Sequence, residues 1–173
     1  KDLVFDTKQV ASRIAFFRDL LVLENGEPFV LPDWQEFIVG NLYGWKVKKT
    51  GKRRFQQGLV LVPRKNAKST LISGLGLSSF LMDGVTYSQF YCLASDRGQA
   101  SLLKDYGEGF VKRHEELPNA VQIRTWEMRC PAFENRWKAL HADYKRLDGL
   151  NPYFVVFDEF HTQETDGLDN VIN

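Results

Sequence analysis

The stretch LVLVPRKNAKST, residues 59–70, decides the fold class of this chain. Its first four residues are apolar and predict a short buried strand that ends at Pro63. A polar loop comes next, and a helical pattern follows from about Lys68 to Met82. A strand, a loop and a helix in this order place Lys68 and Ser69 where a phosphate-binding loop lies.

The loop matches the usual pattern, G-x-x-x-x-G-K-[ST], only in its Lys-Ser ending, because Val62 and Ala67 occupy the glycine positions. The chemistry still suits these residues. Loop N–H groups and the positive end of the helix solvate phosphates, Lys68 neutralises the β and γ oxygens, and Ser69 holds Mg²⁺. Alanine at position 67 is strained if the loop needs a positive φ. A Lys-Ser pair also arises by chance, so it needs support from elsewhere.

A second motif follows the last apolar segment of the chain. Residues 153–157 predict a buried strand, and Asp158 and Glu159 come directly after it. This is a Walker B pattern, in which Asp158 holds the Mg²⁺ shell and Glu159 orients and activates the attacking water. Asp158 lies 90 positions after Lys68, which leaves room for the other elements of a nucleotidase core.

The remaining elements alternate between helices and strands. A first helix is predicted from Val10, with Asp6 or Thr7 as its cap and Gly26 as its stop. A second is predicted after Asp33 as its cap, with Gln35 in the first turn. A third is predicted over residues 97–116 and is ended by Pro118. Short strands are predicted over residues 87–93, 121–123, 129–133 and 137–141. This order predicts an α/β P-loop NTPase of the RecA-like (ASCE) class, with a mainly parallel sheet flanked by helices and the site at the carboxyl ends of the strands.

The composition is that of one folded domain. The chain has 173 residues, 43% apolar and 26% charged, with a formal net charge of +1, which excludes disorder, collagen and coiled coil. Cys92 and Cys130 are too few for a disulfide or zinc framework and are predicted to be reduced, apolar thiols. No apolar run approaches the roughly 20 residues of a bilayer span. The aromatic residues predicted to fill the core are Phe16, Phe17, Phe37, Phe110 and Phe154.

Residues 45–55 contain six basic side chains around a predicted hairpin tip at Thr50 and Gly51. Two interpretations of this segment stay open. It is either a solvated charged turn or a contact for nucleic acid, and the nearly neutral charge of the whole chain favours the solvated turn.

Four parts of the sequence together resemble a known family. They are LPDWQEFI (31–38), VPRKNAKS (62–69), ASDRGQA (94–100), and RLDG (146–149) with VVFDEFH (155–161). In order and spacing they are similar to motifs of the large terminase subunit of tailed bacteriophages, specifically of its N-terminal ATPase domain. These motifs are the adenine-contacting segment, the deviant Walker A motif, a motif ending in Gln-Ala, and an arginine-containing loop followed by Walker B.

The resemblance implies a viral DNA-packaging motor. Such a motor is an ATP hydrolase that uses ATP and Mg²⁺, forms a homo-oligomeric ring on the portal protein and drives double-stranded DNA into a procapsid. The implied partners are double-stranded DNA, the portal protein and the small terminase subunit, without a membrane. The implied location is the host cytoplasm.

The resemblance also assigns the site residues. The ATP-binding residues are Gln35, Arg64, Lys65, Asn66, Ala67, Lys68, Ser69 and Thr70, the metal-holding residues are Ser69 and Asp158, and the catalytic residues are Glu159, Arg64 and Arg146. Within this set, Gln35 contacts the adenine ring and Arg64 stabilises the γ-phosphate from the same subunit. Arg146 is assigned to reach the nucleotide of a neighbouring subunit, and Lys145 and Arg136 are alternatives for that role.

A single ATPase domain is expected, with a helical, adenine-binding segment over residues 1–57 and a P-loop core over 58–173. The resembled family continues past Walker B with a strand that lies between the Walker A and Walker B strands, and then with a C-terminal nuclease domain. Because the chain ends at Asn173, we expect a fragment that lacks both and does not cleave DNA.

Two alternatives remain at this stage. The segment Asp158-Glu159-Phe160-His161 resembles the D-E-x-H box of a DEAD/DEAH-like helicase, and Gln35 resembles a helicase Q motif. Helicases of that type usually have Gly-Lys-Thr in the phosphate loop, whereas Arg64 and Lys65 before the Lys-Ser pair look more like a terminase. The other alternative is a non-catalytic fragment that binds nucleotide or DNA.

Overall fold

The computed structural model describes residues 2–63, 65–94, 97–141 and 152–157. The helices in these ranges are α1 (Thr7–Leu20), α2 (Asp33–Gly44), α3 (Lys68–Met82), α4 (Arg97–Arg113) and α5 (Leu117–Ala120). The strands are β1 (Leu3–Phe5), β2 (Trp45–Val47), β3 (Gln89–Ala94), β4 (Gln122–Ile123), β5 (Glu127–Cys130), β6 (Asn135–His141) and β7 (Pro152–Phe157). Of the predicted site residues, Arg64, Arg146, Asp158 and Glu159 lie outside the described residues.

Five strands form one sheet in the order β4-β5-β6-β3-β7. Strands β6, β3 and β7 are parallel, with Ala94 opposite His141 and Leu93 opposite Phe157. Strands β4, β5 and β6 form an antiparallel meander. The predicted α/β architecture and meander are therefore confirmed, and three of the described strands form the parallel part of the sheet.

The first two helices form as predicted, with different boundaries. Asp6 caps α1 by accepting a hydrogen bond from the backbone N–H of Gln9 at 2.9 Å. The helix ends at Leu20 rather than near Gly26, because the chain becomes extended at the buried residue Leu21. Helix α2 begins at Asp33 and has Pro32 at its cap position, so Asp33 is not the cap and instead places its charge in the first turn.

The predicted strand at 59–62 is wrong. No strand in the described part of the chain pairs with this segment, and Leu59 and Leu61 are 75% and 83% exposed. An apolar run becomes a strand only where a neighbouring strand accepts its backbone hydrogen bonds. Strand β7 has its described partner, β3, on one side only. The periodicity of residues 59–62 does not show whether a partner strand lies beside them.

Smaller differences have local causes. Strand β3 starts at Gln89 and not at Tyr87, which has a φ of 56° and is 79% exposed. Pro118 lies in the first turn of α5 instead of only ending α4, because proline suits the start of a helix. Phe37, predicted to be in the core, is 71% exposed. The pairing of β1 with β2 was not predicted, since three residues are too few for a pattern.

The core predictions otherwise hold. Phe16, Phe17 and Phe110 are buried, and Phe154 packs against the core while partly exposed. Cys92 and Cys130 are buried and are not joined in a disulfide, as predicted. No helix in the described ranges is long and apolar enough to cross a membrane.

Helix α3 lies at the centre of the packing. Nine of its 15 residues are buried, and two of these are glycines. A Cβ added at Gly74 would lie 2.5 Å from the Phe17 ring of α1, and one at Gly76 would lie 2.5 Å from the Trp137 ring of β6. The glycines therefore let α1 approach the helix on one side and the sheet on the other.

A buried ion pair fixes the C-terminal end of α3. The guanidinium of Arg13 on α1 is only 1% exposed and donates to the carboxylate of Asp83, the residue that ends α3. Arg13 also donates to the Ser78 hydroxyl at 3.1 Å and lies 4.3 Å above the Tyr43 ring of α2. The first two helices are thereby tied to the third.

The same carboxylate binds the sheet. Tyr153, near the start of β7, donates its hydroxyl proton to Asp83 at 2.9 Å. Arg53 donates to the Tyr153 oxygen at 3.2 Å and lies 3.7 Å from the Asp83 carboxylate. Burial and the neighbouring Asp83 charge raise the pKa of Tyr153 to about 12, so the phenol remains a proton donor throughout the neutral range.

The packing of α3 yields a prediction about two glycines. In an exposed helix Gly→Ala stabilises by about 1 kcal/mol. Gly76→Ala should instead destabilise by about 1–3 kcal/mol, because the buried Trp137 ring cannot move aside. Gly40→Ala on α2 is the matched control, since its nearest neighbour would be 3.8 Å away and the usual stabilising sign is expected. Urea unfolding of both variants measures the difference, and a stabilising Gly76→Ala would contradict this packing.

Candidate nucleotide-binding site

Helix α3 runs antiparallel to the parallel strands. The carbonyl of Phe80 accepts from Asn135 at the start of β6, while Gly76, one turn earlier, faces Trp137, two residues further along that strand. A 15-residue helix is about 22 Å long and a six-residue strand about 20 Å. The N-terminus of α3 therefore reaches the edge of the sheet where β6, β3 and β7 end.

The loop before α3 contains two residues with left-handed backbone. Lys65 has a φ of 67° and Ala67 a φ of 52° with ψ of 28°, so both are left-handed. Asn66 donates its side-chain amide to the Pro63 carbonyl at 3.0 Å, and the N–H of Leu71 donates to the Ala67 carbonyl at 2.9 Å. Left-handed residues next to a helix start turn backbone N–H groups toward a common concavity. The strain anticipated at Ala67 is therefore present.

The charges at this helix end favour an anion. Ala67 provides no side-chain cap for α3, and the first turn contains no acidic residue. The positive end of the helix dipole is thus joined by Lys65, which is exposed, and Lys68, the first residue of the helix. Ser69 and Thr70 follow in the same turn and are partly buried. This arrangement suits a phosphate group.

The ends of β3 and β7 lie at the same edge of the sheet. Phe157 ends β7 opposite Leu93, and Ala94 ends β3 one residue later. The acidic pair Asp158-Glu159 is next in the sequence after β7, and the segment ending in Gln-Ala is next after β3. The acidic pair lies outside the described residues, and so do Ser95 and Asp96 of the other segment.

Gln35 lies in the first turn of α2, as predicted, and is only 2% exposed. Its side-chain oxygen has no hydrogen-bond partner among the described residues. An unsatisfied buried acceptor costs about 1–3 kcal/mol of stability, so a hydrogen-bond donor that reached this oxygen would be stabilising. An amino group of a nucleobase is one donor of the right kind.

Sequence reasoning missed the residues that orient the site. Arg13, Asp83 and Tyr153 had no predicted role, although their contacts set the direction of α3. One signal was available: Arg13 stands three residues after Val10 and four before Phe17, on the apolar stripe of α1. A cation on a buried stripe requires a partner, and the sequence alone does not say which.

The chain is similar to known terminases. The family described as "Terminase large subunit, ATPase domain" matches residues 33–173. Among solved structures, the crystal structure of the HK97 bacteriophage large terminase superposes with a TM-score of 0.80 at 22% identity. The superposition covers 97% of this chain and 34% of that one, so the chain spans about a third of that protein. At this identity the structural likeness establishes the fold alone, an α/β fold shared with that terminase. No curated protein matches the chain.

Because of the left-handed backbone at Ala67, we expect glycine to stabilise the protein at this position, whereas Ala→Gly inside a helix normally destabilises. Ala67→Gly relieves about 1–2 kcal/mol of strain in the folded state, while the greater entropy of the unfolded chain costs about 0.4–1 kcal/mol. A net stabilisation of up to about 1.6 kcal/mol is therefore expected. Ala11→Gly, at an exposed position inside α1, is the control and should destabilise by about 1 kcal/mol. Thermal melting separates them. Equal destabilisation by both substitutions would show that Ala67 is not strained.

Proposed function

Because the chain belongs to the terminase large-subunit ATPase domain family, we propose that it binds Mg-ATP at the N-terminus of α3 and hydrolyses it to drive double-stranded DNA into a procapsid. The observation that supports this most strongly is the loop over residues 65–70. Its left-handed residues lead into a helix whose first turn contains no acidic residue and which begins at the edge where the parallel strands end.

In this proposal the triphosphate lies against the start of α3. Lys68 neutralises the β and γ oxygens, and the backbone of Lys65, Asn66 and Ala67 lines the phosphates. Thr70 completes the turn that holds them. The left-handed φ values at two of these residues support the backbone role, because they turn N–H groups toward the same side of the loop.

The residues proposed to hold Mg²⁺ are Ser69, through its hydroxyl, and Asp158, through its carboxylate. Both donors are oxygen atoms, which Mg²⁺ prefers. Ser69 lies in the first turn of α3, and Asp158 is the next residue in the sequence after β7. The shared edge of the sheet at which α3 begins and β7 ends supports the pairing of these two residues. The bound ion would supply positive charge against the β and γ phosphate oxygens. Among the described residues no cluster of acids, histidines and cysteines forms a metal site elsewhere.

Hydrolysis requires a base and a cation in addition to the phosphate loop. Glu159 is proposed to accept a proton from water as the water oxygen attacks the γ-phosphorus and the bond to the bridging oxygen breaks. Arg64 is proposed to stabilise the γ-phosphate charge from within the subunit, and Arg146 to do so from a neighbouring one. Gln35 is proposed to accept a hydrogen bond from the adenine amino group, which its unpartnered buried oxygen supports.

The wider assembly is proposed from the family. We place the chain in a homo-oligomeric ring on the portal protein, working with the small terminase subunit in the host cytoplasm. Residues 1–57 would provide the adenine-binding segment and residues 58–173 the P-loop core. The family match favours this assembly over a helicase.

The nucleotide proposal is tested by thermal melting with Mg-ATP. A hundredfold excess of ligand over its Kd stabilises the folded state by about 2.7 kcal/mol, which corresponds to a rise in Tm of about 5–10 °C. Lys68→Ala should lose most of this rise, whereas Lys8→Ala, an exposed lysine on α1, should retain it. Glu159→Gln should retain the rise but lose ATP hydrolysis.

Two results would contradict the proposal. If the parent shows no rise in Tm, the chain has no competent nucleotide site. If Lys68→Ala and Lys8→Ala both retain the full rise, the nucleotide binds somewhere other than the N-terminus of α3.

A further inference from the structure

Positive charge in this chain is strongly segregated. Residues 37–82 contain nine of the 23 lysines and arginines and none of the 22 acidic residues, although the whole chain has a net charge of only +1. Like charges crowded into one segment repel each other and reduce stability. A concentration of this kind therefore calls for anionic partners, inside or outside the molecule.

Five of the nine cations are accounted for. Lys46 pairs with Asp6 at 2.7 Å, and the guanidinium of Arg53 lies 3.7 Å from the carboxylate of Asp83. Arg64, Lys65 and Lys68 belong to the proposed phosphate loop. The other four, which we call the basic tip, are Lys48, Lys49, Lys52 and Arg54. All four are exposed, and none has an acidic partner in the described part of the chain.

The basic tip is a defined turn. Two backbone hydrogen bonds close it. The N–H of Gly51 donates to the Val47 carbonyl at 2.8 Å, and the N–H of Val47 donates to the Lys52 carbonyl at 2.9 Å. Gly51 has a φ of 68°, which the tight reversal requires. The N–H of Arg54 donates to the Trp45 carbonyl at 2.7 Å. The backbone thus holds the four cations on one short projection.

The base of the tip is anchored in the protein interior. Arg53 donates to Tyr153 on β7, and its guanidinium lies 5.2 Å above the Tyr43 ring of α2. On the other side of the turn, Lys46 reaches Asp6 and holds the pKa of that carboxyl below its usual value. The tip therefore projects from a fixed base and needs little ordering when it meets a partner.

We propose that the basic tip contacts the sugar-phosphate backbone of duplex DNA. Exposed lysine and arginine donors on a short turn suit contact with phosphates, which is independent of sequence. That independence is what a translocating motor requires. The identity of the polyanion rests on the proposed function, while its charge and the surface that meets it come from the structure.

The location of the tip makes the proposal specific. Arg53 at its base contacts Asp83, which ends α3, whereas the proposed phosphate site lies at the start of the same helix, about 22 Å away. DNA at the tip and nucleotide at the loop would therefore bind at opposite ends of α3. The two ligands should not compete.

The test is the fluorescence anisotropy of a labelled duplex of about 30 base pairs, titrated with the chain in about 50–200 mM salt without nucleotide. The variant is Lys48→Ala/Lys49→Ala/Lys52→Ala. The control, Lys8→Ala/Lys112→Ala/Arg124→Ala, removes the same charge from exposed positions elsewhere. Removing three phosphate contacts should raise Kd about tenfold or more and reduce the slope of log K against log salt by up to about 2.7, while the control stays within about twofold of the parent.

Three results would overturn the proposal. The first is that the parent fails to bind the duplex. The second is that the two triple variants weaken binding equally, which would mean that only net charge matters. The third is that polyglutamate competes as well as unlabelled duplex, which would indicate an acidic protein partner. The Mg-ATP melting shift, measured on the same tip variant, keeps the two proposals separate. If the parent shows the Mg-ATP shift but does not bind the duplex, the tip proposal fails and the nucleotide proposal stands. If the parent binds the duplex through the tip but shows no Mg-ATP shift, the nucleotide proposal fails and the tip proposal stands.

Discussion

The buried carboxylate of Asp83 joins three separate parts of the chain. It accepts from Arg13 on the first helix and from Tyr153 on the last described strand, and it ends the helix on which the phosphate loop is built. Removing one member of such a buried pair costs about 3–5 kcal/mol, because the other charge is left without a partner. The exposed Arg18–Asp19 pair on α1 is the opposite case, since its side chains are 58% and 52% exposed and water screens the attraction.

The direction of α3 follows from that junction. With its C-terminal end held at the start of the strands, and with Gly74 and Gly76 admitting Phe17 and Trp137, the helix can only point its N-terminus at the ends of the parallel strands. The favourable helix dipole and the lysines of the loop then meet at the edge of the sheet where β3 and β7 end. The strained backbone at Ala67 persists because the packing of α3 determines where the loop must arrive.

The sequence predicted those features that depend on local patterns. The bounds of α3, the cap at Asp6 and the strands β6 and β7 follow from periodicity and capping chemistry, and the anticipated strain at Ala67 follows from the steric cost of positive φ. The failures are those of tertiary context. Residues 59–62 have a strand's composition but no described neighbour, Phe37 lies on the outer face of α2, and the Arg13–Asp83 contact spans 70 positions. No window of the sequence shows which distant segment will be adjacent.

The central claim is that the start of α3 and the end of β7 form one Mg-ATP site. The most direct test is a double-mutant cycle on the Mg²⁺-dependent part of ATP affinity, measured by calorimetry with Ser69→Ala, Asp158→Asn and the double variant. If both side chains hold the same ion, either substitution removes the Mg²⁺ dependence and the double variant loses nothing more. Independent, additive losses, or a loss from only one of the two substitutions, would contradict the claim.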